Sequence, residues 1–142
     1  MQDGKKFSKI VEAIADAETH TTGEIRVHVS KRWFERDPYR RAQKVFDRLG
    51  MGRTTLKNAV LLYVNLRRRK FAIYGDEGIH QSVGQRYWER IARELSQDLR
   101  GTHHENAIAM AVAKIGKALA ENFPVDSTHL NHQELSNDVT SD

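Results

Sequence analysis

AVLLYVNLRRRKFAIYGDEG (residues 59–78) decides the fold. Its first part, Ala59 to Leu66, is the most continuously apolar run in the chain, and a strand apolar on both faces belongs inside a covered sheet. Arg67 to Lys70 form a short polar connection, and the next apolar run, "KFAIYG", follows at once, so the two runs form an antiparallel hairpin. The stretch leaves the sheet through Asp76 and Glu77, two adjacent carboxylates between Gly75 and Gly78.

Upstream, "EIRVHVS" (residues 24–30) alternates strictly, with Ile25, Val27 and Val29 on one side and Arg26, His28 and Ser30 on the other. That pattern predicts a strand with one buried face. Between this strand and the hairpin, Asp37-Pro38 reads as an N-cap with proline in the first turn. A helix carrying Ala42, Val45, Phe46 and Leu49 follows and stops at Gly50. A strand-helix-strand unit crosses over right-handed with parallel strands. An earlier helix has Phe7, Ile10, Val11 and Ile14 on one stripe. Two later helices carry Tyr87, Trp88, Ile91, Leu95 and Leu99, then Ile108, Val112, Ile115 and Leu119. Thr102 and Glu105 have the spacing of a capping box for the last helix. With helices for both faces, the expected fold is a three-layer α/β/α sandwich around a small mixed sheet, with the strand at residue 59 central.

Length and composition suit one soluble domain of 142 residues, 39% apolar and 30% charged. No window has the roughly 20 apolar residues of a membrane span, and no secretory leader is evident at Met1, so a cytoplasmic monomer is expected. Absence of cysteine removes disulfides and thiolate metal sites. Residues 125–142 hold four acids (Asp126, Glu134, Asp138, Asp142) and no lysine or arginine, which leaves +8 on residues 1–124. This segment lacks periodicity and is expected to be a disordered, dispensable acidic tail.

The topology concentrates oxygen ligands. If the first two strands are parallel and the third antiparallel, Glu24, Asn58, Asp76 and Glu77 lie along one rim. Carboxylates and amide carbonyls are ligands that Ca²⁺ and Mg²⁺ prefer. A turn or helix cap is the plain alternative for Asp76-Glu77. "GMGRTT" follows a helix and precedes a strand, the reverse of a phosphate loop's context. No serine elbow is present, and adjacent His103 and His104 diverge on a helix. A second cluster is basic: Lys31, Arg32, Arg36, Arg40 and Arg41 interleave with Trp33, Phe34 and Tyr39, and Arg67, Arg68, Arg69 and Lys70 crown the hairpin. Such a pattern suits nucleic acid or anionic lipid. Fifteen acids in residues 1–124 dilute it and argue against nucleic acid.

Together, "TGEIRVHVS", "A..VFDRLGM", "KNAVLLYVNLRRRKFAIYGDEGI", "YWERI" and "NAIAMAVAKIG" resemble the TPM domain family over about residues 5–124. That family includes a plant thylakoid lumen protein and many bacterial proteins, some membrane-anchored. The resemblance implies an α/β/α sandwich, divalent metal binding in some members and weak acid-phosphatase activity in the plant one. It also implies a short soluble type working beside a LemA-type or membrane-anchored TPM protein. Typical members have Asp-Asn or Asn-Asn where this chain has Lys57-Asn58, and the lysine's charge weakens a cation site. The expected function is an interaction module with a weak Ca²⁺ or Mg²⁺ site acting with membrane-associated partners. The alternatives are a metal-assisted phosphatase, in which the cation activates water, and a nucleic-acid or anionic-lipid binder.

Overall fold

The computed structural model describes residues 7–125 and 139–142. The elements run α1 (Ser8–Glu18), β1 (Glu24–Ser30), α2 (Pro38–Arg48), β2 (Ala59–Asn65), β3 (Lys70–Gly75), α3 (Glu77–Val83), α4 (Gln85–Asp98), α5 (His104–Asn122) and β4 (Thr140–Ser141), with a 3-10 turn at Met51–Arg53. The sheet order is β3-β2-β1-β4. β2 pairs parallel with β1 and antiparallel with β3, so the apolar strand is internal as its composition requires. Among the described residues, no helix is long and apolar enough to cross a membrane.

Alternation along the strands divides the core. Ile25, Val27 and Val29 with Val60, Leu62, Val64 and Ile73 face α1, α4 and α5, whose stripes include Ile10, Ile14, Trp88, Ile91, Ile108 and Ile115. Ala59, Leu61, Tyr63 and Ala72 face α2 through Ala42, Val45 and Phe46. This is the expected α/β/α sandwich, with a thick helical layer on one face and a single helix on the other. α2 starts as its sequence predicts, with the Asp37 side chain accepting from the Arg40 N–H. It stops where Gly50 adopts φ of 69°. The Thr102–Glu105 capping box does not form: the N-cap position is His103, without a side-chain cap. Glu105 instead accepts from the Lys9 backbone N–H at 2.9 Å, joining α5 to α1. That long-range bond takes the carboxylate the local motif would need.

α1 and α5 approach closely at Gly116, where an added Cβ would lie 2.6 Å from the Ala17 Cβ. The end of α5 returns to the same region, since Thr21 Oγ1 and the Thr22 N–H both donate to the Phe123 carbonyl.

Two further expectations are corrected. β1 does not have one solvated face, because all seven of its residues are buried. Its polar side is met by Glu18 at one end and by Thr140 and Asp142 at the other. The tail is also not uniformly without structure: Thr140 and Ser141 form a fourth strand parallel to β1, opposite His28 and Val29. The gain that a short, polar and aperiodic segment obtains there is supplied by β1, which offers it an open edge and a buried polar row. Residues 126–138, most of the expected tail, lie outside the described residues.

Deleting Val139–Asp142 should therefore cost about 1–3 kcal/mol, the penalty for leaving buried polar groups unpaired, and lower the unfolding midpoint by several degrees. Thermal denaturation of the shortened chain checks this. Gly116→Ala should also destabilise. Its helix-propensity gain of about 1 kcal/mol is outweighed by an overpacking cost of about 1–3 kcal/mol. Gly101→Ala, whose new Cβ would meet nothing closer than 3.7 Å, serves as the control.

Candidate functional site

Strand register brings the expected rim together at the level of the backbone. Glu24 pairs with Ala59, and Val60 with Gly75, so β1 and β2 begin where β3 ends. The side chains then diverge. Asp76 is the N-cap of α3, with Oδ1 accepting from the Glu77 N–H at 2.8 Å. Its own N–H donates to the Ala59 carbonyl at 2.9 Å, extending the β2–β3 ladder into the helix start. Asp76 Oδ2 is buried and has no hydrogen-bond partner among the described residues. Glu77 is exposed in the first turn of α3. Gly78 is glycine because a Cβ there would collide with the carbonyl oxygens of Leu56 and Lys57. The buried Asn58 side chain donates to Thr22 Oγ1 at 3.2 Å, and the Lys57 ammonium donates to the Gly52 carbonyl.

Glu24 points to a different neighbour. Glu18, at the end of α1, accepts from the Ile25 N–H at 2.8 Å and lies against Glu24. Burial raises the Glu18 pKa to about 8, reinforced by the Glu24 charge and the hydrogen bond between the two carboxyls. At neutral pH Glu18 is thus a neutral acid sharing its proton with Glu24. Sequence reasoning missed Glu18, although it continues the buried stripe of Ile10 and Ile14 at four-residue spacing. An acid at an apolar stripe position was the available signal. Among the described residues, no three His, Asp or Glu side chains form a group that could hold a metal ion.

The opposite end of the sheet carries a buried polar network. Tyr63 Oη donates to Glu35 Oε1, which also accepts from Asn65 Nδ2 at 2.9 Å. Burial, then the Glu35 contact, push the Tyr63 pKa up to about 12. His28 stacks on Tyr63 at 5.7 Å, and its ring nitrogens lie 2.8 Å from Thr140 Oγ1 and 3.1 Å from Asp142 Oδ2. Arg41 reaches the same Asp142 oxygen at 2.9 Å. Burial lowers the His28 pKa despite Asp142. Burial alone would raise Asp142, but hydrogen bonds from Ser30, His28 and Arg41 prevail and hold it near 2.

This network fixes the basic segments. Asn65 Nδ2 also donates to the Arg32 carbonyl at 3.1 Å, Lys70 Nζ to the Glu35 carbonyl at 2.6 Å, and Arg67 Nε to the Lys31 carbonyl at 2.7 Å. The loop after β1 and the tip of the β2–β3 hairpin, joined by bonds between residues 33 to 36 apart in sequence, form one surface. Arg67 lies 3.9 Å above the Trp33 ring.

A family model described as the TPM domain matches residues 3–118. The structure is similar to the NMR structure of BA42 protein from the psychrophilic bacterium Bizionia argentinensis. That match has a TM-score of 0.85 and 35% identity, and covers 98% of this chain and 94% of that one. It is also similar to the N-terminal domain of cg2496 protein from Corynebacterium glutamicum. There the TM-score is 0.63 at 15% identity, over 92% of this chain and 80% of that one, a likeness of fold. No curated protein matches.

The Glu18–Glu24 pair yields a pH prediction. Glu18 has a higher pKa folded (about 8) than the ordinary carboxyl value of 4.5. Its contribution to stability is therefore full below about pH 4.5 and is lost as pH rises through about 8. Gln is an isostere of the neutral acid, so Glu18→Gln should match the parent near pH 4.5 and exceed it increasingly toward pH 8. Unfolding midpoints measured across that range give the comparison.

Proposed function

The chain belongs to the TPM domain family, and from that premise we propose that it is an interaction module acting with membrane-associated partner proteins, with a divalent cation held weakly at the Asp76 rim. A cytoplasmic monomer working beside a LemA-type or membrane-anchored TPM protein belongs to the same proposal. The observation that carries the cation is Asp76 itself. One of its oxygens is committed to capping α3, and the other is buried with no hydrogen-bond partner among the described residues. A buried carboxylate oxygen in that condition is costly unless something neutralises it. Carboxylate and carbonyl oxygens without thiolate suit a hard cation, Ca²⁺ or Mg²⁺.

Glu24 is already committed to Glu18, which leaves Asp76 and the exposed Glu77 as the carboxylates available to a cation, with the Asn58 amide tied to Thr22. So few charged ligands argue for affinity at the weak end, about 10⁻⁴–10⁻³ M. The same commitments favour a binding role over a hydrolytic one, since the rim carboxyls serve the backbone or each other. A metal-assisted phosphatase is the second reading, supported by the family resemblance. A cation at Asp76 would polarise a phosphoryl oxygen there.

Two-dimensional NMR titration of the chain with Ca²⁺, Mg²⁺ and Zn²⁺ separates these outcomes. Ca²⁺ or Mg²⁺ should shift the amide signals of Gly75 to Gly78 together. Asp76→Asn, which keeps an N-cap oxygen, should abolish those shifts while the rest of the spectrum is retained. Shifts confined to Asp126, Glu134 and Asp138 would mean charge screening and no rim site. Hydrolysis of p-nitrophenyl phosphate that requires the cation and is lost in Asp76→Asn would favour the phosphatase reading.

A further inference from the structure

At the basic end of the sheet, Trp33 is 67% exposed and Phe34 is 86% exposed. Two consecutive large aromatics left in water at the apex of a loop are unusual for a folded domain, whose larger apolar patches tend to mark interaction sites. The loop that carries them is firmly held. Glu35, the next residue, is buried and bonded to Tyr63 and Asn65. The carbonyls of Lys31, Arg32 and Glu35 accept from Arg67, Asn65 and Lys70. Presentation of the two rings is therefore built into the fold, and little ordering cost is left for binding.

Cations surround them. Arg32, Arg36, Arg40 and Lys44, all exposed, line with Arg41 and Phe34 a cavity of about 370 Å³. Arg67, Arg68 and Arg69 are exposed on the adjoining hairpin tip. The acids nearby are already engaged: Glu35 with Tyr63, Asp37 with the Arg40 N–H, and Asp142 with His28 and Arg41.

We propose that this end of the domain docks on the surface of an anionic lipid bilayer, with Trp33 and Phe34 entering the headgroup region and the arginines pairing with lipid phosphates. Tryptophan and phenylalanine on a basic surface match the interface between headgroups and acyl chains. A single-stranded nucleic acid fits less well, because it would use free ring faces as stacking platforms. One face of Trp33 is occupied by Arg67, and Tyr39 packs on Tyr74 at 5.6 Å. The inference goes beyond the cation reading and does not depend on it, since the rim lies at the other end of β1.

The chain reports on its own docking. It has two tryptophans, and Trp88 is buried, so a change in emission on adding vesicles reports on Trp33. The full chain is mixed, with EDTA present, with vesicles of phosphatidylcholine alone or containing phosphatidylglycerol. Blue-shifted emission and co-flotation are expected with the anionic vesicles only, weakening as salt rises. Phe34→Ser should weaken partitioning by about tenfold, and Arg36→Glu with Arg40→Glu by at least about tenfold. Circular dichroism should be unchanged in both, because these side chains are exposed. Three results would overturn the proposal. These are no blue shift, equal binding to neutral vesicles or to free glycerol phosphate, and tighter binding of a single-stranded oligonucleotide that Phe34→Ser leaves intact. Because EDTA removes divalent cations, failure here is distinct from failure at the rim.

Discussion

A row of polar side chains buried on β1 is the constraint from which much of the structure follows. Glu24, Arg26, His28 and Ser30 lie on the same face as Ala59, Leu61 and Tyr63, on a strand internal to the sheet, and all four are buried. Buried polar groups are tolerated only when they are paired. At one end of the strand Glu24 is met by a second acid, Glu18, held neutral. At the other, His28 is met by Thr140 and Asp142, which also engages Arg41. The fourth strand follows from this requirement. It is two residues long, and side-chain bonds to His28, Ser30 and Arg41 hold this end of the chain beside its backbone pairing.

The two ends of the sheet differ in chemistry because the strands deliver different residues to them. Where β1 and β2 start and β3 ends, the groups are acids, an amide and loop carbonyls. Where β1 and β2 end and β3 starts, they are arginines, lysines and two exposed aromatic rings. Seven-residue strands separate the ends by about 20 Å at roughly 3.3 Å per residue, well beyond the Debye length of about 8 Å at physiological ionic strength. Charge at one end scarcely influences the other, so each can serve its own ligand.

Asp76 and Glu77 have a structural role that does not compete with a functional one. Asp76 caps α3, and Gly78 lets that helix's first turn sit on the backbone of Leu56 and Lys57. The turn reading is correct for one carboxylate oxygen, and the other is left over.

Periodicity alone was enough for α1, α2, α4 and α5 and for the central place of β2, and these together gave the sandwich, because each depends on apolar spacing within a single element; the seven-residue α3 (Glu77–Val83) is too short to show such a stripe. The ordered set of motifs likewise identified the family. Asp76, Glu77, Glu24 and Asn58 were legible as neighbours along one rim, since parallel and antiparallel pairing dictates which strand ends coincide. Their partners were not. Glu18 pairs with Glu24, Glu105 abandons its capping box for Lys9, and Asp142 crosses more than one hundred residues to reach His28 and Arg41. A local pattern records which face a residue occupies and carries no information about what lies opposite. For buried polar groups, what lies opposite determines protonation, pairing and, at β4, whether a polar segment becomes a strand.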